Sequence, residues 1–396
     1  MTGFLRLDNT VRHYAWGSPT AIPELLGRLV TGEPVAELWL GAHPDHPSTV
    51  PAHGAGLDDL IAADPDGLLG PDVAQEFGPR LPYLLKLLAA ERCLSLQVHP
   101  DAAQAAAGYA EEQARGVPAA DPTRNYHDAH HKPELLYALT PFDALCGFRS
   151  VAATERYLSA LIAAGAGALV PVRSSLIGED GLRSAFADLL ASEGAGRRRL
   201  VDQTVVAAGR LVDHGDEWAD AARASLIAAA DFPGDIGAVV ALLLNVVRLE
   251  PGQAIFLGAG NVHAYLRGLG VEIMANSDNV LRCGLTPKHI DVAELLAVTD
   301  FAPLVEPVWP AQQLPSGRTG FTVPVPDFRL LVLGDGSHGA VEATGPRIVV
   351  CVDGSIELTA GDDRVVLGRG ESVFVPASLG ELAAAVTGVG YLAAVR

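Results

Sequence analysis

A change of hydrophobic period near residue 150, and its reversal near residue 248, constrains the fold of this chain more than any other feature. Between residues 150 and 247, Ala/Leu-rich stretches recur at helical spacing, over 151–164, 182–192 and 201–229, with few strand-type runs. Residues 236–247, the most apolar of these segments, are too short to span a bilayer and read as a buried helix. On either side the text consists of short apolar runs broken by Gly and Pro, such as Ala36-Glu37-Leu38-Trp39-Leu40 and Leu84-Leu85-Lys86-Leu87-Leu88. That grammar describes strands and loops over residues 4–91, and it resumes at Arg248. The expected chain is therefore mainly β with an α-helical insertion. One helix is expected before the insertion, from the N-cap Asp101 to about Arg115.

The strand-rich part repeats itself. Leu249, Gly252, Phe256 and Ala259 recur at the same internal spacing as Leu367, Gly370, Phe374 and Ala377. Each set reads as a turn leading into a barrel strand. Short strands with Gly/Pro turns, present twice, suggest cupin-like jelly-roll barrels. In this register Glu381 falls where the first copy has His263, and residues 321–396 contain a single histidine, His338. The C-terminal barrel is therefore expected to be metal-free. The boundaries that follow are a catalytic barrel from 1–149 and 248–310, a helical insertion at 150–247 and a C-terminal barrel at 311–396.

Chemistry concentrates in Leu94-Ser95-Leu96-Gln97-Val98-His99-Pro100. Side chains two apart on a strand share a face, so Gln97 and His99 converge while their apolar neighbours turn away. Glu134 enters an apolar strand, where a carboxylate is costly unless a cation meets it. His263 follows a Gly-rich turn after Ala254-Ile255-Phe256-Leu257 and would need a partner when buried. Four N/O donors suit a divalent metal.

A formal charge of -19 excludes broad contact with nucleic acid or an anionic membrane, so an anionic ligand must be small and held by local cations. Those cations exist: Arg282 and Lys288 flank a Gly-Leu-Thr-Pro turn, Lys132 precedes Glu134, and Lys86 sits inside an apolar run. A metal together with several cations points to a phosphorylated, oxygen-rich small molecule. The four cysteines form no C-x-x-C pair, and the N-terminus lacks a signal pattern, so a reducing cytoplasm is expected. A monomer is the default expectation.

These motifs, with Tyr14-Ala15-Trp16-Gly17, residues 34–44, His131-Lys132-Pro133-Glu134, residues 258–265 and residues 279–288, closely resemble the type I mannose-6-phosphate isomerases. The resemblance implies one Zn²⁺ held by Gln97, His99, Glu134 and His263, with Arg282 as the catalytic residue. It implies interconversion of mannose 6-phosphate and fructose 6-phosphate through an enediol. Tyr265, Asp278, Lys132 and Lys288 match pocket positions, and Ser95, Lys132, Lys288 and Lys86 are candidates for phosphate or hydroxyl anchoring. Glu272, Asp278, His131 and a water on the metal all stay open for proton transfer. His130 stands where the family often has Asn, which brings a second histidine near the site. A sugar-phosphate-binding cupin without turnover is the alternative, disfavoured by the presence of Arg282 and Asp278 beside all four ligands.

Overall fold

The computed structural model describes residues 3–396. Two antiparallel sheets, of eleven and nine strands among the described residues, form the bulk of a mainly-β, cupin-like fold, with helices inserted between Phe148 and Leu244. The first sheet runs Val308–Trp309, Ala254–Leu257, Glu134–Ala138, His263–Ala275, Tyr83–Ala90, Glu37–Gly41 and Thr10–Arg12.

The strand His263–Ala275 makes the barrel's corner. Its first part pairs with Leu96–Val98 and Phe142–Phe148, and its second part with Tyr83–Ala90 and Glu134–Ala138. The ladder shifts register between Tyr265 and Arg267, and Gly268 follows at φ 135°. A Cβ on Gly268 would lie 2.5 Å from the Phe142 ring, so the bend needs glycine for backbone freedom and for space.

Strand alternation separates two environments. Along Tyr83–Ala90, Leu84, Lys86 and Leu88 line a cleft, whereas Tyr83, Leu85 and Leu87 join a core shared with Phe321, Ile348, Phe374 and Tyr391 of the second sheet. Glu37 and Trp39 follow the cleft side, and Leu38 and Leu40 the core side.

The internal repeat is visible in three dimensions. Leu249 and Leu367 lie in strands, Gly252 and Gly370 adopt φ of 95° and 83°, and Ala254–Leu257 and Ser372–Val375 are strands at matching offsets. Glu381, the counterpart of His263, is exposed.

The helix after Asp101 spans Ala102–Ala114 and carries a reciprocal cap between Asp101 and Gln104. Several local expectations are corrected. Residues 4–91 contain four short helices, two of them led by Pro65 and Pro71 at the first turn, where proline's fixed φ suits a helix start. The stretch 201–229 is two helices, Gly194–Asp213 and Ala219–Asp231, broken at Gly215 with φ 63°. Residues 236–247 form one short helical turn, Gly237–Val240, and a 3-10 turn, then enter the strand Leu244–Leu249 paired to Phe142–Phe148. Their apolar run reflects burial, which by itself does not select helix over strand. Leu5–Arg6, expected with the first barrel, pairs with Ser372–Val375 in the second sheet.

Candidate metal centre and cleft

Gln97 occupies the middle of Leu96–Val98, with Leu96 and Val98 fully buried on the other face. Across the ladders it stands opposite His263 on one side and Arg282 on the other. Opposed residues of antiparallel strands share a face, so His263, Gln97 and Arg282 form one row across three strands spaced by about 4.8 Å. His99 follows on the same side. Glu134, opposite Met274, reaches both rings: its Oε1 lies 3.2 Å from His99 Nε2 and its Oε2 3.4 Å from His263 Nε2. Lys132 Nζ donates to Glu134 Oε1 at 2.7 Å.

The ring protons can be assigned from their partners. His99 Nδ1 lies 2.7 Å from the Asn279 carbonyl and His263 Nδ1 lies 3.0 Å from the Asn261 carbonyl. A carbonyl only accepts, so each Nδ1 is the donor and each Nε2 presents a lone pair. Both Nε2 atoms and Glu134 Oε2 are buried without a hydrogen-bond partner. Lone pairs converging on a buried carboxylate are unfavourable unless a cation sits among them. Ligand atoms of His99, Glu134 and His263 lie within 4.8 Å of one another, and the carbonyl-anchored tautomer is the one a metal requires. The residues therefore fit a divalent metal. Burial first, and then the Lys132 ammonium, push His99 down to about 4, which keeps the ring neutral. Burial opposes ionisation of Glu134, but the Lys132 ammonium outweighs it and holds the carboxyl well below its usual range.

This group borders a cleft of about 550 Å³. On its floor Lys86 Nζ lies 3.0 Å from Glu272 Oε2 and 3.6 Å from Glu37 Oε1, and 5.3 Å from the centre of the Trp39 ring. The Tyr265 hydroxyl donates to Glu272 Oε1 at 2.9 Å, and Trp39 Nε1 donates to Glu37 Oε2 at 2.7 Å. Burial pulls the Lys86 ammonium down, but the combined fields of Glu272, Glu37 and Glu134 raise it above its ordinary value. Glu272 is raised, with burial the largest cause. Burial also raises the Tyr265 phenol, which stays a donor.

At the mouth, Asp278 Oδ2 lies 3.2 Å from His43 Nε2. Burial works against the charge, yet the His43 hydrogen bond and the Lys132 field keep Asp278 lowered. The far end carries Ser95, Arg282 and Lys288. Among the described residues, no carboxylate lies within ion-pair distance of Arg282 or Lys288, and Arg282 is the leading cause of the lowered Lys288 ammonium. Two cations without a counter-ion face the same space.

The structure thus gathers Gln97, Glu134, Lys132, Tyr265, Asp278, Lys288, Ser95, Lys86, Glu272 and Arg282 around one cleft, with His99 and His263 fully buried behind it. His131 is a correction. Its neighbour Lys132 lines the cleft, but His131 does not, and its Nε2 meets the buried Asp327 at 2.9 Å. His130 packs against Arg80, with 3.3 Å between Nδ1 and the guanidinium, and does not line the cleft. Sequence reasoning assigned no role to His43, Glu37, Trp39 or Arg92. Glu37 and Trp39 were legible as alternating residues of one strand.

A cupin-like barrel carrying two carbonyl-anchored imidazoles and a carboxylate, next to unpaired cations, defines a metal-centred site for a small anionic ligand. Residues 4–151 match the family described as phosphomannose isomerase type I, catalytic domain. The chain is 40% identical to the mannose-6-phosphate isomerase of Salmonella typhimurium, covering 97% of both chains. It is 39% identical to that of Escherichia coli, covering 98% of both. A crystal structure of a zinc-bound mannose 6-phosphate isomerase superposes with a TM-score of 0.89 at 36% identity over 100% of both chains. The chain belongs to the mannose-6-phosphate isomerase family.

Proposed function

We propose that this protein is a zinc-dependent aldose–ketose isomerase interconverting D-mannose 6-phosphate and D-fructose 6-phosphate. The observation that carries the reading is the row His263, Gln97, Arg282, which sets the orphaned imidazole lone pairs and a guanidinium side by side on one wall of the cleft. Gln97, His99, Glu134 and His263 would hold the zinc, which supplies Lewis-acid polarisation of the substrate's C1 and C2 oxygens.

The chain's own groups do the rest. The reaction moves a proton between C2 and C1 of the open-chain sugar, and negative charge develops on oxygen on the way to the enediol. Arg282 lies beside that charge as a fixed cation, worth about 3 kcal/mol by the measure of single-donor deletions. Among the carboxylates, Glu272 has both oxygens engaged by Lys86 and Tyr265, whereas Asp278 keeps one free and lies partly exposed at the mouth. Asp278 is therefore assigned the proton transfer, with His43 orienting it. Lys86, Glu272 and Tyr265 form a rigid polar floor for sugar hydroxyls, Lys132 fixes Glu134, and Lys288 with Ser95 receives the phosphate.

The three-part division at residues 150, 248 and 311 is proposed for the chain's organisation. No helix among the described residues is long and apolar enough to cross a membrane, and all four cysteines are buried and free; we place the protein in a reducing cytoplasm. Anaerobic turnover of mannose 6-phosphate by zinc-loaded protein is the direct test. Binding without turnover would favour the non-catalytic alternative. In Arg282→Ala, kcat is expected to fall about a hundredfold at unchanged zinc content, and near-normal turnover would remove Arg282 from the mechanism.

A further inference from the structure

The helix Ala219–Asp231 of the insertion runs into Asp231-Phe232-Pro233-Gly234-Asp235, a loop that touches both walls at the cation end of the cleft. Asp231 accepts the Cys93 amide at 2.8 Å and receives Arg92 and Arg267 at 3.3 and 3.1 Å. Asp235 Oδ1 accepts the amides of Gly237 and Leu285 at 2.7 and 2.8 Å, and its Oδ2 lies 3.4 Å from the Thr286 amide. Leu285 is the one non-glycine residue among those described with positive φ, at 54°. An L-residue with a bulky side chain holds that conformation only when its surroundings impose it. Here the imposition is visible on two sides. The Leu285 side chain is buried in the core with Ala238 and Val239, and its amide is held by a carboxylate. The backbones of Gly284 and Gly237 also meet closely: a Cβ on Gly284 would lie 2.6 Å from Gly237 Cα.

We infer that Asp235 is a positioning residue for the phosphate end of the site: it holds Leu285 in the left-handed conformation, and the turn that follows then presents Lys288 to the substrate's phosphate. This rests on the proposed isomerase reading, in which Lys288 receives that phosphate. The helical insertion acquires a role in recognition without lending the cleft any charged group of its own. Arg282 is insulated from this clamp, because its backbone is fixed in the ladder against Gln97 and the register shift falls after it. The two functions of the wall are therefore separable: disturbing Asp235 moves Lys288 and leaves Arg282 in place.

The test compares Asp235→Ala, Asp235→Asn, Lys288→Ala and the Asp235→Ala/Lys288→Ala double variant of the zinc-loaded full chain. The readouts are zinc content, kcat and KM for mannose 6-phosphate, and competitive inhibition by inorganic phosphate. Asp235→Ala is expected to raise KM and the phosphate inhibition constant about tenfold, with kcat within about threefold of the parent. Asp235→Asn, which keeps an acceptor for the Leu285 amide, recovers most of the loss. In the Lys288→Ala background the Asp235 substitution has little further effect on either constant, whereas a general loss of stability would act independently of Lys288. If Lys288→Ala leaves phosphate inhibition unchanged, the phosphate end lies elsewhere, and the inference falls with that part of the proposed function. If Lys288→Ala weakens inhibition but Asp235→Ala does not, or if their effects multiply, the positioning role alone is overturned. Should Asp235→Ala fail to fold, Asp235→Ser, which leaves one shorter acceptor for the amides of Gly237, Leu285 and Thr286, carries the same comparison, and parent-like constants in that variant overturn the role.

Discussion

Removing the Tyr83 hydroxyl separates the two faces of the central strand experimentally. Tyr83 is fully buried, and its hydroxyl lies 3.0 Å from the Pro346 carbonyl and 3.2 Å from the Ala393 carbonyl, tying the first sheet to the second. A phenol has one proton, so the two distances describe one shared hydrogen bond. Tyr83→Phe keeps the ring and deletes that donor. A net hydrogen bond is worth about 0.5–1.5 kcal/mol, and a carbonyl left short of its donor adds a desolvation cost of about 1–3 kcal/mol when nothing replaces it. Ala393 lies within sheet ladders on both sides, which limits the second contribution, so a loss of about 1–2 kcal/mol is expected. Urea denaturation reads it as a midpoint lowered by about 0.5 M. Because Leu84 and Lys86 face the cleft while Tyr83 faces away, kcat/KM should stay within about twofold of the parent. An unchanged midpoint, or a tenfold loss of kcat/KM at full zinc content, would refute the assignment of faces.

Lys86→Met leaves Glu37 and Glu272 buried without their cation, and the expected destabilisation is about 3–5 kcal/mol, read from the urea midpoint; a loss below 1 kcal/mol would show the carboxylates to be solvated. Chelating the metal should lower Tm and abolish turnover together, with zinc restoring both, since a ligand at a thousand times its Kd stabilises by about 4 kcal/mol; scanning calorimetry showing one Tm for both forms would contradict a metal among His99, Glu134 and His263. Asp231 is held below its ordinary value: burial opposes this, but the Cys93 amide and the Arg267 guanidinium prevail. Its stabilisation is present above the unfolded value of about 4 and is lost as pH falls through the lower folded value, so the midpoint gap between parent and Asp231→Asn should be constant from pH 8 to 5 and close on acidification below pH about 4. A gap that widens in acid would reverse the sign.

The metal centre was legible because its donors belong to local patterns. Gln97 and His99 share a strand face by spacing alone, and Glu134 enters an apolar strand where an unpaired charge is improbable. The repeat at Leu249 and Leu367 was legible for a similar reason, since a turn followed by a strand is specified within a dozen residues. What the sequence did not show depends on contacts between distant segments. Nothing near His131 announces that Asp327, 196 residues away, turns its ring out of the cleft. The His43–Asp278 pair spans two strand ends that meet only through the sheet, and the left-handed Leu285 depends on a carboxylate from another part of the chain. Apolar content likewise misled at residues 244–247, because a short run such as Leu244-Asn245-Val246-Val247 has the same composition in a strand as in a helix.

A barrel expected to hold no metal still shapes the metal-centred cleft through the alternation of the strands between them. Lys86, Glu37 and Glu272 lie close together with little water access, an arrangement that is stable only if the backbone beneath cannot relax to admit solvent. Such stiffness requires both faces of the sheet to be packed. The outward face presents Leu38, Leu40, Tyr83, Leu85, Leu87, Val271 and Ile273, and these pack with Phe321, Ile348, Phe374 and Tyr391 of the second sheet and with Phe328 beside it. All eight residues of Tyr83–Ala90 are buried, with Tyr83, Leu85, Leu87 and Ala89 in this shared core, a condition that antiparallel strands with one wet face do not meet. The C-terminal barrel therefore acts on the chemistry at one remove, by making the far side of the cleft floor solid enough for three buried charges to keep fixed positions.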